Sequence, residues 1–150
     1  MIYMGIDPGF SGAWGMINTH GQYIQTGDMH NDTKQINSKL VVYEIQMARA
    51  NDDMVIVLEA VHSMPNQGVS SSFKFGMAYG VALSIAERFS CPWQLVTPQR
   101  WKKDMQLSSD KKESLAMARQ LWPAAPLQRQ KDNGRAEALL MAEWFRRQDA

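Results

Sequence analysis

The chain has few of the features that mark secreted or membrane proteins. Its 150 residues include one cysteine, Cys91, so neither an internal disulfide nor a zinc site built from several cysteines can form. No apolar run is long enough to cross a membrane, and the first residues lack the basic and apolar regions of a signal peptide. These absences predict a protein of a reducing cytoplasm with no membrane partner.

A strong charge of either sign is missing as well. With 16 basic and 15 acidic side chains, the formal net charge is +1. A nucleic-acid partner would therefore have to be bound by local basic patches and not by the field of the whole molecule. The length fits one domain, residues 1–150, with a core of its own, and the sequence shows no repeat or internal linker.

Two predicted strands each end on an acidic side chain. Apolar residues alternate over 2–7, and a Pro-Gly turn ends that strand directly after Asp7. Residues 54–59 form a continuous aliphatic run, typical of a parallel strand buried on both faces, which ends on Glu59. Ligands of open α/β sheets bind at the strand ends of one edge, where two adjacent carboxylates would suit a hard divalent cation. The alternatives are that Asp7 caps a turn and that Glu59 is solvated.

A third acidic cluster lies near the C-terminus. Helical spacing of apolar residues predicts a helix from Arg135 to Arg147, with Asp132 or Asn133 as its N-cap. Inside one helix, Asp132 and Glu137 would point roughly 140° apart. Their carboxylates can converge only if Asp132 precedes the helix. Otherwise Asp132 only caps the helix and Glu137 lies on a solvated face.

The remaining elements complete an α/β pattern. Further strands are predicted at 13–18, 22–28 and 93–97, and further helices at 33–49, 71–89 and 110–122. The predicted apolar stripes are Ile36, Leu40, Tyr43 and Met47 in the first helix, and Phe73, Met77, Val81 and Ile85 in the second. Gly76 and Gly80 share a face of the second helix, which indicates close backbone packing inside the domain or between subunits.

This element order is that of a ribonuclease-H-like α/β domain, a mixed five-stranded sheet with helices on both faces. Within that class the residues resemble the RuvC-type Holliday junction resolvases, in particular their phage-like branch. The resemblance extends over residues 2–145. It rests on the acidic motifs Gly5–Gly9 and Leu58–Val61, the central helix Phe73–Gly80 and the final acidic helix Arg135–Leu140.

The resemblance implies a metal-dependent endonuclease that resolves Holliday junctions and other branched DNA, in a bacterium or the bacterial host of a phage. It also implies a homodimer that makes paired nicks, and two Mg²⁺ or Mn²⁺ ions per active site. Asp7 would bridge both ions, Glu59 would hold one, and Asp132 and Glu137 would hold the other. Bacterial members carry their last two carboxylates three residues apart, whereas the position three before Glu137 is Gly134 here. We expect Asp132 to reach in from the loop; the alternative is a site of three carboxylates.

DNA contacts are predicted beside this site. His62, three residues after Glu59, stands where the family often has an aromatic residue that stacks on exposed bases. A basic cluster accompanies Trp101 and consists of Arg100, Lys102, Lys103, Lys111 and Lys112. Asp110 and Glu113 resemble a capping box, which places two of these lysines in a first helical turn, where cations oppose the helix dipole unless they face a phosphate. A loop histidine without a role and a solvated charged turn are the alternatives.

Other functions fit parts of the same pattern. A ribonuclease-H-like nuclease that acts on RNA or RNA–DNA hybrid would use the same acids. An ATP-binding protein of the actin and sugar-kinase type has a similar first motif but needs two such domains. A non-catalytic junction-binding relative would be expected to lack the carboxylates that are present here.

Overall fold

Five strands form one mixed sheet in the computed structural model, which describes residues 1–30, 35–62 and 64–150. The strands are Ile2–Asp7 (β1), Ala13–Asn18 (β2), Tyr23–Asp28 (β3), Met54–Glu59 (β4) and Trp93–Val96 (β5). Their order is β3-β2-β1-β4-β5. β1 pairs antiparallel with β2 and parallel with β4, while β2–β3 is antiparallel and β4–β5 is parallel. The predicted strands and the mixed five-stranded sheet are confirmed.

The helices cover both faces of the sheet. They are Ser38–Arg49 (α1), Val69–Arg88 (α2), Pro98–Asp104 (α3), Lys111–Leu121 (α4) and Asn133–Asp149 (α5), and a short 3-10 helix, Gln130–Asp132, leads into α5. Ile2, Met4 and Ile6 of β1 pack with α1 and α2 in one core cluster, whereas Tyr3 belongs to a second cluster with α3, α4 and α5. The alternation along β1 therefore separates two cores, as expected for a strand buried on both faces.

Helix α5 lies directly on the two central antiparallel strands. Gly5 of β1 and Gly15 of β2 are register partners. A Cβ atom added to Gly5 would lie 1.9 Å from the Ala138 carbonyl oxygen, and one added to Gly15 would lie 2.8 Å from the Leu139 side chain. Only glycine permits this approach at Gly5. The contact brings the beginning of α5 to the end of β1, where Asp7 lies.

Helix α1 differs from its prediction in its start and in its buried face. It begins at Ser38 because the Asn37 side chain caps it by accepting a hydrogen bond from the Leu40 N–H; predicted positions 33 and 34 lie outside the described residues. The predicted stripe was wrong after Ile36. Leu40, Tyr43 and Met47 are exposed, and the helix buries Val41, Val42 and Ile45.

Helix α2 packs through small residues. Its buried side chains are Ala78, Ala82, Ile85 and Ala86, whereas Phe73 from the predicted stripe is 70% exposed. No atom among the described residues lies within 4 Å of a Cβ added at Gly76 or Gly80. The described part of the domain therefore does not pack closely on these glycines, and the alternative, packing between subunits, stays a prediction.

The short helix α3 was not predicted. Its signal is present in the sequence, because the Thr97 hydroxyl accepts a hydrogen bond from the Arg100 N–H and Pro98 occupies the first turn. Pro98 also follows directly on the predicted strand 93–97 and so equally marks the end of that strand. The helix places Trp101 and Lys102 close to the end of β4, which becomes important below.

Helices α4 and α5 lie close to their predicted positions, but not all of their predicted caps are present. Asp110 caps α4 through the Lys112 N–H, yet the predicted capping box is wrong because the Glu113 carboxylate accepts the Ser108 hydroxyl instead. α5 starts at Asn133, two residues earlier than predicted. No helix in the described part of the chain is long and apolar enough to span a membrane.

Candidate metal centre

Three carboxylates converge at the carboxyl ends of the two central parallel strands. Asp7 ends β1, Glu59 ends the neighbouring β4, and Glu137 projects from the start of α5. One oxygen atom from each lies within 4.8 Å of the others. Glu59 and Glu137 are buried, and Asp7 keeps limited exposure. The structure thus brings together three of the four acids that the sequence singled out.

Burial and mutual repulsion shape the electrostatics of this acid cluster, the three side chains Asp7, Glu59 and Glu137. The pKa of Asp7 is raised well above its usual range, first by burial and then by the charges of Glu59 and Glu137. Burial also raises the pKa of Glu59, against the opposing effect of a hydrogen bond from Trp101. Crowded oxygen donors of this kind fit a hard divalent cation such as Mg²⁺ or Mn²⁺, which would offset their repulsion.

Helix α3 supplies two partners to the acid cluster. The indole Nε1 of Trp101 donates a hydrogen bond to Glu59 Oε2 at 2.7 Å. The Lys102 ammonium lies 3.1 Å from Glu137 Oε1 and 5.3 Å from the centre of the Trp101 ring. Glu137 Oε1 is buried and accepts no hydrogen bond within the described residues, so its contact with Lys102 is an ion pair only. Oε1 is therefore a buried oxygen atom that could coordinate a cation.

Asp132 is not part of the acid cluster in this structure. Its carboxylate accepts hydrogen bonds from the Arg129 N–H at 2.8 Å and from the Arg129 guanidinium at 2.7 Å, and Arg135 lies 3.7 Å away. Burial would raise the pKa of Asp132, but the hydrogen bonds from Arg129 lower it. The side chain does not cap α5 either. The expected approach of Asp132 to Asp7 is therefore absent from this conformation, and its role as a metal ligand stays a prediction.

Position 134, three residues before Glu137, has no room for a carboxylate side chain. A Cβ atom at this position would lie 3.3 Å from Asp7 Oδ2 and only 2.9 Å from the Ser11 carbonyl oxygen. The position therefore faces the acid cluster, but the backbone after β1 leaves no room for a side chain. Glycine at this position permits the close approach of α5 to the β1–β2 connection.

The predicted DNA-contacting residues lie at different distances from the cluster. Lys102 touches it, and the positive charge of Lys111 helps to lower the pKa values of Asp7 and Glu59 against the effect of burial. Lys111 and Lys112 are exposed in the first turn of α4, and Lys103 is exposed in α3. Arg100 lies over the Trp144 ring at 5.8 Å and 4.0 Å from Asp104.

His62 lies on the connection that follows Glu59. It is exposed and lines an apolar cleft of about 370 Å³ with Val61, Met64, Phe75 and Pro98, among others. The cleft is large enough for a planar ring, but its role in DNA contact stays a prediction.

Sequence reasoning missed the contact between Trp101 and Glu59. The sequence marks Trp101 only as a neighbour of basic residues. The available signal was its side chain, since a buried tryptophan usually needs a partner for its N–H. The helix that carries it was also missed, so nothing placed it near β4.

The fold and the acid cluster together define a ribonuclease-H-like α/β domain with a candidate metal centre at the carboxyl end of its sheet. Protein-family models and curated proteins gave no match to the chain. Among solved structures, Thermus thermophilus RuvC in complex with Holliday junction substrate is 18% identical, with a TM-score of 0.71 over 100% of this chain and 97% of that chain. Another T. thermophilus RuvC structure is 21% identical, with a TM-score of 0.59 over 99% and 97%. The chain therefore has the RuvC fold, which confirms the predicted fold class.

Proposed function

We propose that this protein is a metal-dependent endonuclease that resolves Holliday junctions and other branched DNA. The observation that carries the proposal is the acid cluster, three carboxylates within 4.8 Å of one another at the strand ends of a RuvC fold. Its donor oxygens suit Mg²⁺ or Mn²⁺. The similarity of the whole chain to a RuvC bound to junction DNA supports branched DNA as the substrate class.

Asp7, Glu59 and Glu137 would hold the metal. When bound, two such ions would activate water and stabilise the leaving oxygen of a phosphodiester. Because metal binding requires the ionised carboxylate, a bound cation would oppose the burial and repulsion that raise the pKa of Asp7. Asp132 would become the fourth ligand only if it left Arg129, so three carboxylates are the minimal site.

The basic residues would hold the DNA backbone around this site. Lys102 is positioned to move between Glu137 and a phosphate, because its ammonium already lies at the acid cluster. Lys111 and Lys112 are exposed at a helix start, where a phosphate would relieve their unfavourable position in the helix dipole. Lys103 and Arg100 would extend the basic surface along α3, and His62 would stack on an unpaired base.

A homodimer would supply the two sites that paired nicks require. Its candidate interface is the open face of α2. Gly76 and Gly80 leave space there, and Phe73 is 70% exposed beside them. The structure contains a single chain, so this interface is part of the proposal.

Cleavage of four labelled substrates side by side tests the function. We expect four-way junctions and flaps to be nicked in preference to linear duplex and RNA–DNA hybrid, with Mg²⁺ or Mn²⁺ and not with a chelator. Asp7→Asn protein prepared in parallel controls for contaminating nucleases. Preferred cutting of RNA–DNA hybrid would instead support the ribonuclease-H-like alternative. Absence of cutting on all four substrates would reject the proposal.

A further inference from the structure

We propose that Trp101 is a positioning residue that engages one oxygen of the Glu59 carboxylate, leaves the other for a metal ion and thereby favours Mg²⁺ over Ca²⁺. This inference rests on the proposed function, because it takes the acid cluster to be a metal site. Trp101 itself would touch neither the ion nor the DNA.

The first observation is that Trp101 holds one specific oxygen of Glu59. Its side chain is fully buried between the sheet and α5, and Nε1 donates to Oε2 at 2.7 Å. A short hydrogen bond to a carboxylate is stronger than one between neutral groups. Movement of the Glu59 carboxylate away from the indole would leave a buried N–H without a partner, which costs about 1–3 kcal/mol. The carboxylate is therefore held beside the indole.

The second observation is that the face of the same ring lies near the other partner of the cluster. The Lys102 ammonium lies 5.3 Å from the ring centre and 3.1 Å from Glu137 Oε1. The edge of the indole thus contacts Glu59 directly. Its face helps to hold the Lys102 ammonium, which pairs with Glu137. Trp101 is linked in this way to two of the three candidate ligands.

The consequence concerns the number of oxygens that Glu59 can offer. With one lone pair of Oε2 engaged by the indole, Glu59 is biased towards binding a cation through Oε1 alone. Single-oxygen ligation suits Mg²⁺, which requires near-octahedral geometry, whereas Ca²⁺ accepts carboxylates through both oxygens and a larger coordination number. Partners of ligating carboxylates typically contribute 10–100-fold to metal affinity. Loss of the indole N–H should therefore weaken Mg²⁺ binding more than Ca²⁺ binding.

A matched control exists in the same molecule. Trp144 is also buried, and its Nε1 donates to the Asp104 carboxylate at 2.8 Å, outside the acid cluster. Trp144→Phe and Trp101→Phe remove the same atoms and the same type of hydrogen bond. Only the second change alters a candidate metal ligand.

The test is calorimetric titration of wild type, Trp101→Phe and Trp144→Phe with Mg²⁺ and with Ca²⁺, without DNA. We expect Trp101→Phe to lose about tenfold in Mg²⁺ affinity and less than threefold in Ca²⁺ affinity, and Trp144→Phe to change both by less than twofold. Equal losses for the two ions, or equal behaviour of the two variants, would overturn the inference. A wild-type protein that binds neither ion would instead reject the proposed function.

A second measurement uses only the wild-type protein and does not depend on whether a variant folds. In the wild-type protein, the indole N–H resonance of Trp101 should shift during a Mg²⁺ titration, because the oxygen it donates to belongs to a ligating carboxylate. The indole resonance of Trp122, which donates to the Gly21 carbonyl, should not move. A Trp101 resonance that stays unchanged while Mg²⁺ binds would overturn the inference.

Discussion

At the scale of single residues, the acid cluster is costly to the protein unless a cation is present. Asp7, Glu59 and Glu137 repel one another in a poorly solvated position, and the partner that touches Glu137 is the single ammonium of Lys102. Such an arrangement contributes little to folding, and perturbed carboxylates of this kind concentrate at functional sites. Their contributions to cutting, binding and stability can be separated.

Removing one charge from the cluster should separate cutting from binding. We expect Asp7→Asn and Glu59→Gln to lower junction cleavage by at least about a thousandfold, because each takes away a ligand for the ions that activate the phosphodiester. Junction affinity should stay equal or rise, since less negative charge would face the phosphates. Gel-shift and cleavage assays measure the two effects, with Glu87→Gln on the exposed part of α2 as the control. Near-normal cutting by either variant would show that the metal lies elsewhere.

In this conformation we expect Asp132 to stabilise the loop through its hydrogen bonds with Arg129 and not to bind metal. Asp132→Ala removes the partner of the Arg129 N–H and guanidinium, and we expect a loss of about 2 kcal/mol in the free energy of unfolding. Mg²⁺ affinity should change by less than twofold. Denaturant unfolding and calorimetry measure both quantities. A tenfold loss of Mg²⁺ affinity with normal stability would restore Asp132 as the fourth ligand.

The raised pKa of Asp7 predicts how the stability of the metal-free protein depends on pH. Because burial makes the folded state bind this proton more tightly than the unfolded chain, the group stabilises the fold below its usual pKa of about 4. That contribution is lost as pH rises through the raised pKa. Thermal melts in a chelator should therefore show a Tm that falls as the pH rises from about 4 through the raised pKa of Asp7. Addition of Mg²⁺ should raise the Tm again.

The control for this pH effect is Asp7→Asn, which cannot titrate. Burial would raise the pKa values of Asp132 and Glu143, but hydrogen bonds from their arginine partners lower them, so their contributions have the opposite slope. The informative quantity is thus the difference in Tm between wild type and Asp7→Asn at each pH. A difference that is constant with pH would contradict the raised pKa.

At the scale of helices and strands, the sequence predicted where each element lies along the chain better than which face of a helix is buried. The strands are bounded by Pro, Gly and turn residues, so their limits could be found locally. The buried face of α2 consists mainly of alanines, which a search for large apolar side chains does not weight, and Phe73 was wrongly placed in it. The face that a helix buries depends on how close it can come to the sheet, and that distance is set by residues elsewhere in the chain.

The close contact between α5 and β1 gives an element-scale prediction. Gly5→Ala would place its Cβ 1.9 Å from the Ala138 carbonyl oxygen, so α5 must shift away from the sheet. We expect a loss of about 3 kcal/mol or more in the free energy of unfolding, together with weaker Mg²⁺ binding because Glu137 moves with the helix. Gly68→Ala, at the N-cap of α2 where an added Cβ meets nothing within 4 Å, is the control and should change the free energy of unfolding by less than about 1 kcal/mol. Similar unfolding curves for the two variants would contradict this close packing.

At the scale of the whole molecule, the candidate site was predicted as far as local sequence can determine it. Asp7 and Glu59 could be placed together because both end apolar strands, and the ends of adjacent parallel strands lie at one edge. Asp132 could not be placed, because its direction depends on Arg129 and on the loop before α5. Trp101 and Lys102 could not be placed for a similar reason, since their helix was not recognised.

The proposed dimer is a prediction at this largest scale. We expect sedimentation velocity to show a dimer at micromolar concentration, and Phe73→Asp to shift it towards monomer by placing a charge on the open face of α2. Tyr43→Asp, on the exposed side of α1, should have no such effect. A wild-type monomer, both free and with junction DNA, would rule out this interface.

The acid cluster also joins parts of the chain that are synthesised far apart in time. Asp7 belongs to the first strand, whereas Glu137 belongs to the last helix, which packs on that strand through Gly5. At a synthesis rate of about 5–20 residues per second, β1 to β3 leave the ribosome seconds before Glu137 exists. A nascent chain that has already formed its hairpins therefore has only part of the acid cluster. The third carboxylate arrives with the helix that covers the sheet, so completion of the fold and completion of the site are the same event.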